Sequence, residues 1–158
     1  MHFGRISTII FPEKADNSVF GHKITVYVFF GIAILSTIRS LIHVFSSDGG
    51  AGSIAGMDLT LEGAKGIIFA FGLWGSSQLL FAGIQWLILL RYRALIPIMY
   101  VFIILEILLR MLIGTIKPVS FAGTPPGVIG NLVLLPLAFI MLFLCFVEKK
   151  TIKLLKIT

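Results

Sequence analysis

Residues 66–90 read GIIFAFGLWGSSQLLFAGIQWLILL, 25 residues without a charge. A bilayer-spanning helix needs about 20 apolar residues, so this stretch is long enough to cross with some tilt. Outward from it, three more runs qualify: residues 24–45, residues 94–116, and residues 126–147 inside an uncharged stretch that begins at Pro118. Period-2 alternation is absent, which excludes a barrel pattern. Backbone polar groups in lipid must be satisfied within their own segment, so the runs are read as helices. Composition agrees. The chain has 158 residues, 58% hydrophobic, with a mean hydropathy of +1.05. Only 13% are charged, against about a quarter in soluble domains. One cysteine, Cys145, excludes an intrachain disulfide framework. The expected fold is all-α: one polytopic membrane domain, 1–158, built as a four-transmembrane-helix bundle.

Thirteen Lys+Arg against seven Asp+Glu leave a net charge of +6. The basic residues lie beside the apolar runs, so membrane topology explains them better than nucleic acid, and no nucleic-acid partner is expected. Arg5, Lys14 and Lys23 precede the first span. Arg91 and Arg93 fill the short link between spans two and three. Lys149, Lys150, Lys153 and Lys156 follow span four. The opposite side has only Lys65 and Lys117. Nine against two predicts both termini on the cytoplasmic side, in a bacterial inner membrane. The lead-in 1–23 lacks a signal-peptide cleavage site; Phe3, Ile6, Ile9, Ile10 and Phe11 suit either a short interfacial helix or a plain ordered lead-in. In the basic tail 148–158, Lys149, Lys153 and Lys156 share a helical face that suits anionic headgroups, although topology alone also explains it.

Polar residues inside spans usually face a bundle interior or a wet cavity. At 1.5 Å per helical residue from the cytoplasmic anchors, Arg39 lies at ~24 Å, Glu106 at ~20 Å and Arg110 at ~26 Å. On the same ruler Gln78 falls at ~20 Å, Trp74 and Asn131 at ~26 Å, and His43 near ~30 Å. Four helices thus bring polar groups to one slab in the outer half of the membrane. Glu106 and Arg110 are spaced i, i+4 with Glu first, the better order for an ion pair. Trp74, Gln78 and Gln85 share one face of the second span. Gly72, Ser76 and Gly83 lie on another, where a neighbouring helix is expected to approach closely.

Two readings of the slab follow. In one, Glu106 bridges Arg39 and Arg110 and only closes the bundle. In the other, two arginines against one glutamate leave a positive charge that calls for an anion, and a guanidinium grips oxyanions bidentately. Snorkelling of Arg39 to the outer surface is a third explanation. The candidate ligand-binding residues are Arg39, His43, Trp74, Gln78, Glu106, Arg110 and Asn131. Lys149, Lys150, Lys153 and Lys156 are candidates for an anionic-lipid surface.

Other motifs lack the right context. The glycines of 50–56 follow a transmembrane run rather than a strand, so they read as a tight outer loop with positive φ, or a lid, and not a nucleotide loop. Residues 124–127, TPPG, read as a turn that opens the fourth span. Pro97 and Pro136 are candidate kinks. Trp86, Tyr92 and Tyr27 read as interfacial anchors. His2, His22 and His43 have no metal-ligand spacing, so no metal and no cofactor are expected. No Ser/His/Asp set or Cys-x-x-Cys is present, and no catalytic residues are assigned.

Several short motifs occur in order: Gly72-Leu-Trp-Gly-Ser-Ser-Gln-Leu-Leu, Leu90-Arg-Tyr-Arg, Leu105-Glu-Ile-Leu-Leu-Arg110, Lys117-Pro and Pro125-Pro-Gly. Over about half the chain they resemble the small DoxX-like four-helix membrane proteins. That resemblance implies a four-helix fold and no particular activity. The glycine-rich first outer loop and the long lead-in depart from it.

The expected function is therefore a non-enzymatic binding protein or an accessory subunit of a membrane assembly. Its expected partners are the bilayer, a lipid or other anionic amphiphile, and other membrane subunits or further copies of itself. The alternative is a membrane-embedded enzyme acting on a lipid or quinone, with Glu106 and His43 as acid/base candidates. The few titratable groups at the slab argue for the first.

Overall fold

Each helix begins and ends where backbone chemistry allows it. A computed structural model of the chain describes residues 3–147. Helix α1 is Phe3–Ile10. A non-regular segment then carries the chain to Gly21, whose φ of 66° makes the turn into helix α2, Ile24–Phe45. The His22 ring nitrogen Nδ1 accepts a hydrogen bond from the Ile24 N–H, satisfying one free donor of the first turn. Helix α3, Ala64–Arg91, starts after Gly63 at φ 95°. A single 3-10 turn, Arg93–Leu95, reverses the chain into helix α4, Ile96–Ile116. Helix α5 is Pro126–Phe146. These last four elements, taking the 3-10 turn with α4, are long and apolar enough to cross a membrane. No strand occurs among the described residues.

The two prolines behave differently. Pro97 was a candidate kink, but it lies in the first turn of α4. There its missing N–H would have had no helical partner, so it starts the helix rather than bending it. Pro136 sits mid-helix in α5, where its lack of an N–H removes one bond from the ladder.

The helices run alternately up and down. The start of α2, the end of α3, the start of α4 and the end of α5 meet at one end of the bundle. The lead-in crosses beneath them: Asp16 accepts from the Ala94 N–H at 3.1 Å, and the His22 N–H donates to Leu144 at 3.1 Å. Lys14, Lys23, Arg91 and Arg93 are therefore at this end, while Lys65 and Lys117 are at the other.

The core lies toward the same end. Phe29, Ile88, Ile96, Tyr100, Ile107, Met141 and Cys145 are buried together. Tyr100 meets Phe29 edge-on at 5.8 Å and donates its hydroxyl hydrogen to the Thr25 carbonyl at 2.6 Å, so its one polar atom is satisfied. Helix α1 joins this core through Ile9, and packs on α4 and α5 instead of standing alone. Toward the opposite end, residues 111–120 of α4 and the following segment are exposed throughout. Packing is tight at one end and open at the other.

Helix α2 packs chiefly on α3, and α4 chiefly on α5. A face of α3 at Gly72, Ser76 and Gly83 was expected to receive a neighbour. A Cβ at Gly72 would stand 3.9 Å from the His43 carbonyl oxygen, so α2 does lie there, but the structure corrects the other two. Gly83 has open space where a Cβ would stand, and Ser76 is exposed and bonded to its own Leu73 carbonyl. Close approach occurs at Gly75, where a Cβ would lie 2.5 Å from the His43 Cβ and 3.0 Å from its carbonyl carbon. Gly75, Gln78, Ala82 and Gln85 form the buried face of α3. The polar face and the close-packing face of this helix are one and the same.

Candidate functional site

The polar slab takes shape along the α2–α3 contact and reaches across to α4. Arg39 donates from Nε to Gln78 Oε1 at 3.2 Å. Its guanidinium carbon stands 5.9 Å from the centre of the Trp74 ring, within cation–π range. Its Nη2 is 3.7 Å from Glu106 Oε1. Arg110 Nη1 approaches the same oxygen, also at 3.7 Å. Arg39 is thus held sideways across the bundle and does not snorkel outward. One glutamate oxygen faces two guanidinium groups, neither close enough for a hydrogen bond.

The result is a shortage of acceptors. Each guanidinium carries five N–H donors. Among the described residues, only the Arg39 Nε–H has a hydrogen-bond acceptor at this site, and Arg110 Nε and Gln78 Nε2 are buried donors with no partner. Gln78 itself is 8% exposed. Buried polar groups are ordinarily paired, because leaving one unmade costs about 1–3 kcal/mol. A third unpaired atom, Gln85 Oε1, lies further down the same face of α3.

His43 sits one turn outward from Arg39 and is buried. Its Nδ1 donates to the Gly49 carbonyl at 2.7 Å, leaving Nε2 as the ring's lone-pair nitrogen in the neutral form. The ring lies 4.8 Å from Trp74 at an interplanar angle of 31°. Phe71 closes the group edge-on to both. A continuous set of contacts therefore joins the loop 46–58 to Arg39 through His43 and Trp74. His43 and Glu106 do not hydrogen bond to each other: one is bonded to the Gly49 carbonyl and the other faces the two guanidinium groups.

Of the seven residues expected at the slab, the structure brings together Arg39, Gln78, Glu106, Arg110, Trp74 and His43. Asn131, the seventh, is half-buried on α5 and makes no hydrogen bond to a described residue. Lys149, Lys150, Lys153 and Lys156 lie outside the described residues. Trp86, expected as an interfacial anchor, is instead a pin between helices. Its Nε1–H donates to Thr37 Oγ1 at 2.9 Å, and Phe30 meets its ring edge-on. Among the described residues, no group of three His, Cys, Asp or Glu could hold a metal ion.

Sequence reasoning missed Asp48, which organises the loop above the slab. Its Oδ1 accepts from the Gly50 N–H at 2.8 Å and the Ser46 hydroxyl at 3.0 Å, and its Oδ2 from the Ser53 N–H at 2.6 Å. The signal was present: an Asp just past a helix end and before two glycines is a turn-former. Gly49, Gly50 and Gly56 take φ values of 61°, 76° and 70°, as the glycine-rich composition led us to expect. The Gly56 carbonyl then accepts from the Ala122 N–H at 3.1 Å, joining the α2–α3 loop to the α4–α5 loop.

The backbone N–H groups of Ser53 and Gly50 hold the Asp48 carboxyl well below the ordinary carboxylate range. A depressed value means stability that is present above the unfolded-state value and lost as pH falls through the folded one. We expect the loop to stay protected from amide exchange at neutral pH and down to about pH 4, and to open only below it. Asp48→Asn should open it at neutral pH. Equal exchange of the Gly50 and Ser53 amides in both proteins would show that the carboxylate does not hold the loop.

No protein-family model, curated protein or solved structure matches the chain.

Proposed function

We propose that this is an integral membrane protein, non-enzymatic, that binds the acidic head of an amphiphile among Arg39, Gln78, Glu106 and Arg110, alone or as an accessory subunit of a larger assembly. The observation that carries this reading is the deficit of acceptors: two guanidinium groups share one glutamate oxygen, and two buried donors have no hydrogen-bond partner among the described residues. An incoming oxyanion would supply both the missing charge and the missing acceptors. The side chains of Arg39 and Glu106 remain about a third exposed, at 33% and 35%, so the site is open to the surroundings of the bundle. In a bilayer those surroundings are lipid.

The proposed orientation puts both termini in the cytoplasm of a bacterial cell, with the Asp48 loop outside. Support comes from the end of the bundle that collects Lys14, Lys23, Arg91 and Arg93. Single-cysteine variants in a Cys145→Ser background test this. A cysteine at Ser47 should react with an impermeant maleimide added to intact cells, and one at Asn17 only after lysis. The reverse pattern would invert the topology and put the charged slab in the inner half of the membrane. Native mass spectrometry of gently extracted protein tests the binding: an acidic lipid should be retained by the wild type and lost from Arg39→Ala.

A further inference from the structure

His43 stands beside the arginine network and carries a side chain that changes its charge between about pH 5 and 8. We infer that His43 couples anion binding at Arg39 to the uptake of a proton: charging the ring strengthens the hold on an anion without releasing the loop that the ring supports. This rests on the anion-binding reading above and adds a regulator to it.

Three features of the ring lead there. The first is which nitrogen is engaged. Nδ1 donates to the Gly49 carbonyl at 2.7 Å, a bond that the neutral and the protonated ring can both make. Among the described residues nothing hydrogen bonds to Nε2, so an incoming proton has a free nitrogen to take. Protonation therefore changes the charge and keeps the loop contact. The second is distance. His43 follows Arg39 by one helical turn, where Cβ atoms stand about 5–6 Å apart. Trp74 lies against both, its ring 4.8 Å from the imidazole and 5.9 Å from the guanidinium carbon. His43 is only 8% exposed, and charges in such surroundings are poorly screened. The Arg39 side chain is 33% exposed, so an anion can reach the guanidinium itself without touching the buried donors. The third is the company the ring keeps. From α3 it meets Phe71, Trp74 and Gly75, none of which titrates. From the α2–α3 loop it meets Gly49 and Gly50. Asp48 beside them is held well below the ordinary carboxylate range by the Ser53 and Gly50 N–H groups, so its charge is constant above about pH 5. Its own helix offers Arg39, and α4 beyond it offers Glu106 and Arg110. A proton on Nε2 thus adds a positive charge next to Arg39, and an anion there binds more tightly as pH falls. By linkage the anion must draw the proton on by the same factor. In the proposed orientation His43 lies toward the outer side, so the external pH sets the affinity.

Trp74, in contact with His43 and Arg39, supplies a reporter. The experiment uses the full chain carrying Trp86→Phe, in phosphatidylcholine nanodiscs, titrated while Trp74 emission is followed. The probe is hexadecanesulfonate, whose head keeps one negative charge throughout the pH range; hexadecanol is the uncharged control. The sulfonate should bind about tenfold more tightly at pH 5.5 than at pH 7.5, and hexadecanol should show no such difference. His22→Gln, at the other end of the bundle, should keep that pH dependence. His43→Gln, whose amide can still donate to the Gly49 carbonyl, should bind the sulfonate with one affinity at both pH values. Calorimetry of the unaltered chain near pH 6.5, in buffers of different ionisation enthalpy, should show protons taken up as the sulfonate binds. Equal affinity at the two pH values, a pH dependence that survives His43→Gln, or binding without proton uptake would each overturn the coupling and leave the anion site standing. No saturable binding of the sulfonate at either pH, in a protein whose circular dichroism shows it folded, would overturn the anion reading and the coupling with it.

Discussion

Glu106→Gln should lower the thermal midpoint of the detergent-extracted protein by about 10 °C, the largest effect expected of any isosteric change in this chain. The carboxylate is the only anion within 4 Å of either Arg39 or Arg110 among the described residues. Neutralising it leaves two guanidinium groups facing one another in surroundings that screen poorly. Removing one partner of a buried ion pair typically costs about 3–5 kcal/mol, and the partial exposure of this cluster argues for the lower end. Adding Arg39→Ala to Glu106→Gln should recover part of the loss, because a lone Arg110 has no like charge to repel. Anion retention should move the other way. With its negative competitor gone, Glu106→Gln should hold an acidic amphiphile at least as strongly as the wild type, whereas Arg39→Ala loses it. The pair of readouts separates a bundle-closing ion pair from a ligand site: the first predicts only the stability changes, the second both. If neither stability nor lipid content responds to any of the three variants, the cluster has no role of either kind.

The second large effect concerns two glycines eight residues apart on α3. Gly75→Ala should destabilise the protein and release the α2–α3 loop, while Gly83→Ala should be neutral or slightly stabilising. A Cβ at position 75 would fall 2.5 Å from His43 Cβ, 3.0 Å from His43 C and 3.1 Å from Val44 N. Two of those three atoms are backbone, so no rotamer change relieves the overlap and α2 must move away. Overpacking of this kind costs about 1–3 kcal/mol. The displacement would also pull His43 from Gly49 and loosen its stack on Trp74, so amide protection should fall in the loop as well as overall stability. At position 83 nothing lies within 4 Å of the added carbon, and alanine is the better helix former by about 1 kcal/mol. Thermal melts of the two variants side by side, with hydrogen exchange at Gly49 and Gly50, decide it. A Gly75→Ala protein as stable as Gly83→Ala would mean that the α2–α3 contact is looser than the structure has it.

Much of this architecture could be read before any coordinates. Four helices follow from the uncharged runs, because hydrocarbon tolerates few charges and requires each segment to bond its own backbone. Their ends fall close to the expected places because charged residues, Gly63 and the prolines at 125–126 mark them by local chemistry. The i, i+4 spacing of Glu106 and Arg110 is likewise a property of one helix, and the ion pair forms.

Rotation around the helix axis is where sequence reasoning stopped. Counting residues gives depth, and depth put Asn131 level with Arg110, yet no hydrogen bond joins it to the network among the described residues. Of the small residues Gly72, Ser76 and Gly83 on α3, only Gly72 lies beside α2, and the closest approach is at Gly75, on the face that carries Gln78 and Gln85. In a soluble helix the apolar stripe would have marked the inside. In a membrane helix polar residues such as Gln78 and Gln85 mark the side turned to the bundle, but only the packing of the neighbours decides what each one meets: it brings Gln78 to Arg39 and leaves Arg110 Nε without an acceptor among the described residues.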